Sequence, residues 1–208
     1  MQPTPERTRL SSQQQIYPVA VGDVFTVPLN DSKVVLGQVI GKYTKALYVI
    51  IFDLVAPVSS VQSLHLSEVT AATPILARMT FDARFRPGMW QIVCNSIPDQ
   101  RRFLPAFSHG SEDYDGVHVT NFDRSRMRRA TADEARRVPH LTVDSPMVVE
   151  KAVRAHHGLE PWRPVYDDLR YRPTPTSWEL FGEPRSARAD SARAAPEQQC
   201  VQGNDHGR

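Results

Sequence analysis

The sequence is poor in the features that mark secreted, metal-binding or phosphate-binding proteins. It has two cysteines in 208 residues, Cys94 and Cys200, which are too few for the disulfide framework of a small secreted domain. Glycine occurs ten times and never in a cluster that could cradle a phosphate, and neither an HExxH nor a G-x-S-x-G pattern is present. We therefore expect no resident metal and no cofactor, and we predict that the protein is not an enzyme.

Long hydrophobic runs and an excess of charge are also missing. The longest apolar stretch, residues 46–58, is interrupted by Asp53 and is shorter than the ~20 residues that span a bilayer. No apolar run follows Glu6, Arg7 and Arg9, so we find no export signal. The formal net charge is +2, too small to gather nucleic acid through a long-range field. We expect a cytoplasmic protein without a membrane partner, and nucleic acid is not the partner we expect.

Composition divides the chain into three parts. Residues 1–15 lack apolar periodicity, so we predict a flexible lead. Residues 173–208 are rich in Pro, Ala, Arg, Ser and Gln and are predicted to be a disordered tail, in which only Trp178, Leu180 and Phe181 could dock. A single domain is therefore expected over residues 16–172.

The first two thirds of this domain read as β-strands. Residues 23–29 alternate polar and apolar side chains, residues 30–32 supply turn chemistry, and residues 33–40 resume the extended pattern, which together predict a hairpin. Residues 47–52 form a continuous β-branched and aromatic run, typical of a central strand buried on both faces. Further strands are predicted at residues 75–85 and 90–93. We expect a mainly antiparallel β-sheet or a small barrel.

The last third changes to helical signals. Thr131 and Glu134 match a capping box, in which each side chain satisfies a backbone donor at a helix start. Ser145 followed by proline predicts a second start, and Gly158 predicts its end. Apolar residues between them share one side, so this helix should pack on the sheet. The fold class predicted for the chain is therefore α+β.

Candidate catalytic groups are few. The adjacent His156 and His157 point about 100° apart on a helix and cannot chelate a metal together. Cys94 lies in an apolar stretch and is predicted to be a buried small hydrophobe rather than a thiolate nucleophile. An acidic, turn-rich loop leaves a hydrolase open as a third alternative, with Glu112, Asp113 and His109 or His118 as its residues. Such carboxylate clusters are usually solvated.

An arginine run has the best claim to recognition chemistry. Four guanidinium groups fall within the six residues from Arg124 to Arg129 and could bind phosphates or carboxylates bidentately. Acidic residues nearby, Asp133 and Glu134 among them, offer intramolecular partners instead. A small β-barrel nucleic-acid-binding module that uses this run is therefore the alternative function, although the aromatic residues needed for base stacking are sparse.

Several segments, in order, resemble the immunity protein 26 family of bacterial polymorphic toxin systems. Residues 21–29, VGDVFTVPL, are similar to its opening "GD-V-F-x-(V/I)-P-L" strand. The segment PGMW at residues 87–90, followed by Ile92, resembles its G-x-W step. Further similar pieces are Gly37-Gln38-Val39, Phe52-Asp53, Leu104-Pro105-Ala106-Phe107, Arg129-Ala130-Thr131 with Glu134, and the helix end at His156. Residues 93–96 depart from the Ile-Gly-Asn-like step expected there. The resemblance covers about residues 18–170.

The resemblance implies a toxin-neutralising immunity protein, with a cognate toxin as its partner and without catalytic residues. Such an inhibitor needs a rigid scaffold and a few anchoring side chains, often Trp or Arg. The predicted partner-binding residues are Arg84, Arg86, Trp90, Arg101 and Arg102. For Trp90 a core position is the competing interpretation.

Overall fold

A six-stranded sheet with helices on one face and a second layer on the other makes up the fold. The computed structural model describes residues 18–63, 66–111, 113 and 115–182. Its elements are β1 (Asp23–Pro28), β2 (Lys33–Tyr43), β3 (Ala46–Pro57), α1 (Leu66–Ala71), β4 (Pro74–Phe81), β5 (Ile92–Asn95), α2 (Gln100–Phe103), β6 (Phe107–His109), β7 (His118–Thr120), β8 (Met127–Arg129), α3 (Ala132–Arg137), β9 (Val143–Asp144), α4 (Pro146–His156) and α5 (Ser177–Phe181). Short 3-10 helices lie at Val58–Ser63, Asp82–Arg84 and Pro164–Leu169.

The predicted hairpin opens the sheet and is confirmed. The side chain of Asn30 accepts hydrogen bonds from the backbone N–H of Ser32, at 3.0 Å, and of Lys33, at 2.9 Å, which closes the turn between β1 and β2. The strand order is β5-β1-β2-β3-β4-β9. Neighbours are antiparallel except β4 and β9, which pair in parallel.

Strand β3 is buried on both faces, as its composition predicted. Leu47, Val49 and Ile51 belong to the core on one face of the sheet, while the alternating Tyr48, Ile50 and Phe52 belong to the core on the other. We call these the α4 core and the lower core. Because β3 is apolar on both sides, each face of the sheet needs its own covering layer.

Helix α4 covers the α4 core with Val149, Ala152 and Val153. It begins where predicted, since the Ser145 hydroxyl accepts from the N–H of Met147 at 3.3 Å. It ends before Gly158, whose φ is +73°. The capping box predicted for α3 is also present. The α+β class is thus confirmed, with most helices in the later part of the chain.

The lower core is covered by α1, α2 and β6, through Val69, Phe103 and Phe107. The small sheet β6-β7-β8 and α5 meet at a third, smaller core of Ala106, Val119 and Val138, on which Leu180 and Phe181 pack. The Ser177 hydroxyl links these segments, because it accepts from the N–H of Phe122 at 2.8 Å and donates to the carbonyl of Pro105 at 2.7 Å. Helix α5 therefore docks at residues that the sequence assigns to the tail. The division of the chain at residues 15 and 172 stays a prediction, and residues 1–15 lie outside the described part.

The bounds of β4 and β5 differ from the predicted residues 75–85 and 90–93. Strand β4 stops at Phe81, because Asp82 starts a 3-10 turn in which its carbonyl accepts from the N–H of Phe85 at 3.0 Å. Strand β5 begins at Ile92 rather than at residue 90, because Trp90 instead turns its side chain into the α4 core.

Candidate functional site

Trp90 is a core residue. It is 1% exposed and stacks on Phe25 with a centroid distance of 5.2 Å, while Phe85 meets it edge-on at 5.4 Å. Its indole N–H donates to the carboxylate of Glu150 on α4 at 3.3 Å. A buried indole N–H needs such an acceptor. The tryptophan therefore fixes the loop between β4 and β5 against α4 and does not itself reach the surface.

The two arginines of this loop have different surroundings. Arg84 forms an ion pair with Glu150 at 3.1 Å, and the two side chains are 19% and 11% exposed. Arg86 is 71% exposed and pairs with Asp82 at 3.0 Å. An exposed pair of this kind adds little to stability. The Arg86 guanidinium can therefore exchange its partner, whereas Arg84 is held in place.

The other two predicted arginines lie on α2, at the lower core. Asp99 caps this helix by accepting from the N–H of Arg102 at 3.1 Å. The guanidinium of Arg101 lies 4.0 Å from the ring centre of Trp178, and that of Arg102 lies 4.7 Å from the ring centre of Phe103. Both arginines are exposed. Since Trp90 and Phe103 belong to opposite faces of the sheet, the structure does not bring the predicted residues into one patch.

Strand β5 lies between the two arginine pairs along the chain, and sequence reasoning missed its surface. Ile97 is 95% exposed, Met89 49% and Ile92 37%. A cleft of about 170 Å³ lies beside the start of the strand, lined by the uncharged residues Thr26, Pro28, Asn30, Val34, Val58, Val61, Gln62, Met89 and Gln91. The sequence feature that could have revealed this surface is the absence of charged residues and proline from residues 89–97.

The arginine run is largely engaged within the protein. Arg128 forms two hydrogen bonds with the carboxylate of Glu134, at 2.7 and 2.6 Å, and Arg126 donates to the carbonyl of Phe181. The hydrogen bond from Arg128 lowers the pKa of Glu134 from 4.5 to about 2. Arg124 lies 5.8 Å from the ring centre of Tyr43. These contacts favour the intramolecular interpretation of the run.

The histidines near the acidic loop form a cross-strand pair. His109 on β6 lies opposite His118 on β7, with ring centres 5.8 Å apart. Burial lowers the pKa of His109, and nearby cationic groups, chiefly Arg124, lower it further. Asp113 is exposed and Glu112 lies outside the described residues. In the described part of the chain, the His118 ring contacts the carbonyl of Gly116 at 3.2 Å, and neither imidazole is hydrogen-bonded to a carboxylate.

Three further predictions can be compared with the structure. Cys94 is buried, with 3% exposure, as expected. His156 and His157 meet edge-to-face, and burial lowers the pKa of His157. In the described part of the chain, no three His, Cys, Asp or Glu side chains are placed to hold a metal ion. Nor does that part contain a helix long and apolar enough to cross a membrane.

Comparison with known proteins identifies one family. The family model described as Immunity protein 26 matches residues 20–112. This segment contains β1 to β6, and therefore five of the six strands of the main sheet together with the cleft and both arginine pairs. No curated protein and no solved structure matches the chain. Over residues 20–112 the chain is thus similar to the Immunity protein 26 family, which confirms the resemblance seen in its opening strand.

Proposed function

We propose that this protein is an immunity protein that binds a cognate bacterial toxin in the cytoplasm and inhibits it. The observation that carries the proposal is the match of residues 20–112 to the Immunity protein 26 family. An immunity protein needs a surface complementary to its toxin and no chemistry of its own. We therefore propose a binding protein and not an enzyme.

The internal organisation of the domain supports this proposal. Two of its buried polar side chains form structural contacts: Glu150 with Trp90 and Arg84, and Gln38 with Ser96. Paired groups of this kind hold their part of the scaffold rigid, and a rigid scaffold loses little entropy on binding. Tight inhibition favours a surface that is already formed in the free protein.

Among the predicted partner-binding residues, the exposed arginines Arg86, Arg101 and Arg102 are proposed to contact the toxin. Arg84 and Trp90 are proposed to hold the loop that carries Arg86, through their shared contacts with Glu150. Guanidinium groups form bidentate pairs with carboxylates. The proposed complementary surface of the toxin is therefore acidic.

Co-expression tests the proposal. Cells that express the toxin encoded by the adjacent gene should survive when this protein is co-expressed, and affinity purification should recover a one-to-one complex. Charge reversal of Arg86 and Arg102 together, to Glu, should weaken the complex by at least ~30-fold, as expected for hot-spot residues. Arg136→Glu on α3 is the matched control, because Arg136 is also 71% exposed and also pairs with an aspartate. If the cells do not survive and no complex is recovered, the immunity function is refuted.

A further inference from the structure

Strand β5 stands at one end of the strand order of the main sheet, and among the described residues only β1 pairs with it. The N–H of Ser96 points towards the β1 side, where it donates to the carbonyl of Gly22, the residue before β1, at 3.0 Å. Because successive residues of a strand direct their backbone groups to opposite sides, the N–H and C=O of Asn95 face outward. These outward groups can pair with another strand.

Strand β5 is short, with four residues, and its pairing with β1 is irregular, but it lacks two other protections of natural sheet edges, charge and proline. Charged side chains, proline or short length usually prevent an edge from pairing with another chain. The opposite edge fits this rule, since β9 has only two residues and its Asp144 forms an ion pair with Arg78. Residues 89–97 contain neither a charge nor a proline, and the side chain of Ile97 is almost fully in solvent. This edge is therefore suited to pairing.

The adjoining cleft offers a place for one side chain. Its volume of about 170 Å³ is close to the ~150 Å³ of an apolar cavity that holds benzene. Its lining has no charged residue, and Val58 and Met89 at its mouth are half exposed. A leucine-sized or phenylalanine-sized group matches the volume, and Pro28, Val34, Val58, Val61 and Met89 supply the apolar part of the lining.

Hydrogen bonds from the interior hold the edge in position. The amide of Asn95 donates to the carboxylate of Asp23 at 2.7 Å and to the carbonyl of Val21 at 3.1 Å. The amide of Gln38 donates to the carbonyl of Ser96 at 3.1 Å and to its hydroxyl at 3.0 Å. The outward face of β5 is thus formed before any partner arrives, which lowers the entropy cost of pairing.

Charge lies just beyond both ends of this uncharged segment. Arg84 and Arg86 precede it, and Arg101 and Arg102 follow it. Of these four arginines, Arg86, Arg101 and Arg102 are exposed, so each end of the segment is flanked along the chain by at least one exposed guanidinium group. Electrostatic complementarity selects a partner with acidic residues there.

We propose that β5 is the docking edge for an extended segment of the toxin, which adds a strand to the sheet. One apolar side chain of that segment occupies the cleft, and acidic residues flank it on both sides. This inference rests on the proposed function and specifies how the toxin is recognised, by strand addition. The two arginine pairs lie on different faces of the sheet, and β5 is the strand between them along the chain, so one bound segment could contact both pairs.

The experiment measures the affinity of the full chain for a catalytically inactive form of the adjacent gene's toxin. Ile97→Glu places a charge on the edge, and Gln62→Trp fills the cleft; both positions are exposed, so the fold should be retained. Each variant should lower the affinity by at least ~30-fold. Val165→Glu, at another exposed apolar position, is the matched control and should stay within ~2-fold of the wild type. In the complex, the amide of Asn95 should gain protection from hydrogen exchange.

If the wild type binds the toxin and both variants bind it equally tightly, the docking edge is overturned and the immunity function is left intact. Loss of toxin binding by the wild type itself would overturn both. A wild-type dimer that Ile97→Glu dissociates, with toxin affinity unchanged, would show that a second copy of the chain uses the edge and would also overturn the proposal.

Discussion

Gly22→Ala and Gly158→Ala form a pair that isolates one contact of β5. Both glycines have a positive φ, +93° and +73°. An added Cβ at Gly158 meets nothing within 4 Å, whereas at Gly22 it comes 2.5 Å from the carbonyl oxygen of Ser96. Gly158→Ala should therefore cost only the left-handed backbone penalty, about 1–2 kcal/mol. The difference between the two variants reports how firmly β5 is held.

For Gly22→Ala the backbone of β5 must move. The Ser96 carbonyl accepts from the buried amide of Gln38, and displacing it removes one acceptor of that amide, which costs about 1–3 kcal/mol. With the backbone penalty, the total is about 2–5 kcal/mol. Thermal unfolding should show a melting temperature lowered by about 10 °C for Gly22→Ala and by about 4 °C for Gly158→Ala. Equal losses for the two variants would refute the reasoning.

Two further predictions concern the second layer. Ser177→Ala should cost about 2–3 kcal/mol in urea unfolding, because two buried backbone groups lose their partner. Ser63→Ala, at an exposed serine whose hydroxyl also donates to a backbone carbonyl, should cost under about 0.5 kcal/mol. Similar losses of stability in the two variants would argue against a structural role for the two hydrogen bonds of Ser177. The lowered pKa of Glu134 means that its ionised form stabilises the fold above pH 4.5 and that this contribution is lost as the pH falls towards 2. Carboxyl NMR should find a midpoint of about 2 that rises in Arg128→Ala, and a wild-type midpoint near 4.5 would contradict the pair.

Local signals predicted much of the fold. The hairpin, β3 and α4 follow from side-chain alternation, apolar composition and helix caps, all of which act within a few residues. The same kind of signal marks α5, because Thr176 and Glu179 form a capping box there. The tail-like composition around this box predicted disorder instead, and α5 was missed. Local caps can therefore outweigh composition near the end of a domain.

The candidate site depends on contacts that no local pattern encodes. Trp90 is a core residue because its partners, Phe25 and Glu150, come from distant elements. The separation of Arg86 from Arg102 depends on which face of the sheet each loop covers. The sequence does contain the uncharged run of β5, but its position at an edge follows only from the strand order. Tertiary pairing decides these points.

The two hydrogen bonds of Ser177 also limit the order in which the layers of the protein can form during its synthesis. Strands β1 to β4 are neighbours in sequence and can pair as soon as they leave the ribosome, because such pairings require only short loop closures. The layer over the lower core must wait, since Phe122 and Pro105 find their shared partner 55 and 72 residues further along the chain. Until that serine is synthesised, the N–H of Phe122 and the carbonyl of Pro105 lack their shared partner, and the cluster of Ala106, Val119 and Val138 lacks Leu180 and Phe181. A nascent chain of this protein therefore leaves its second layer incomplete until translation reaches α5.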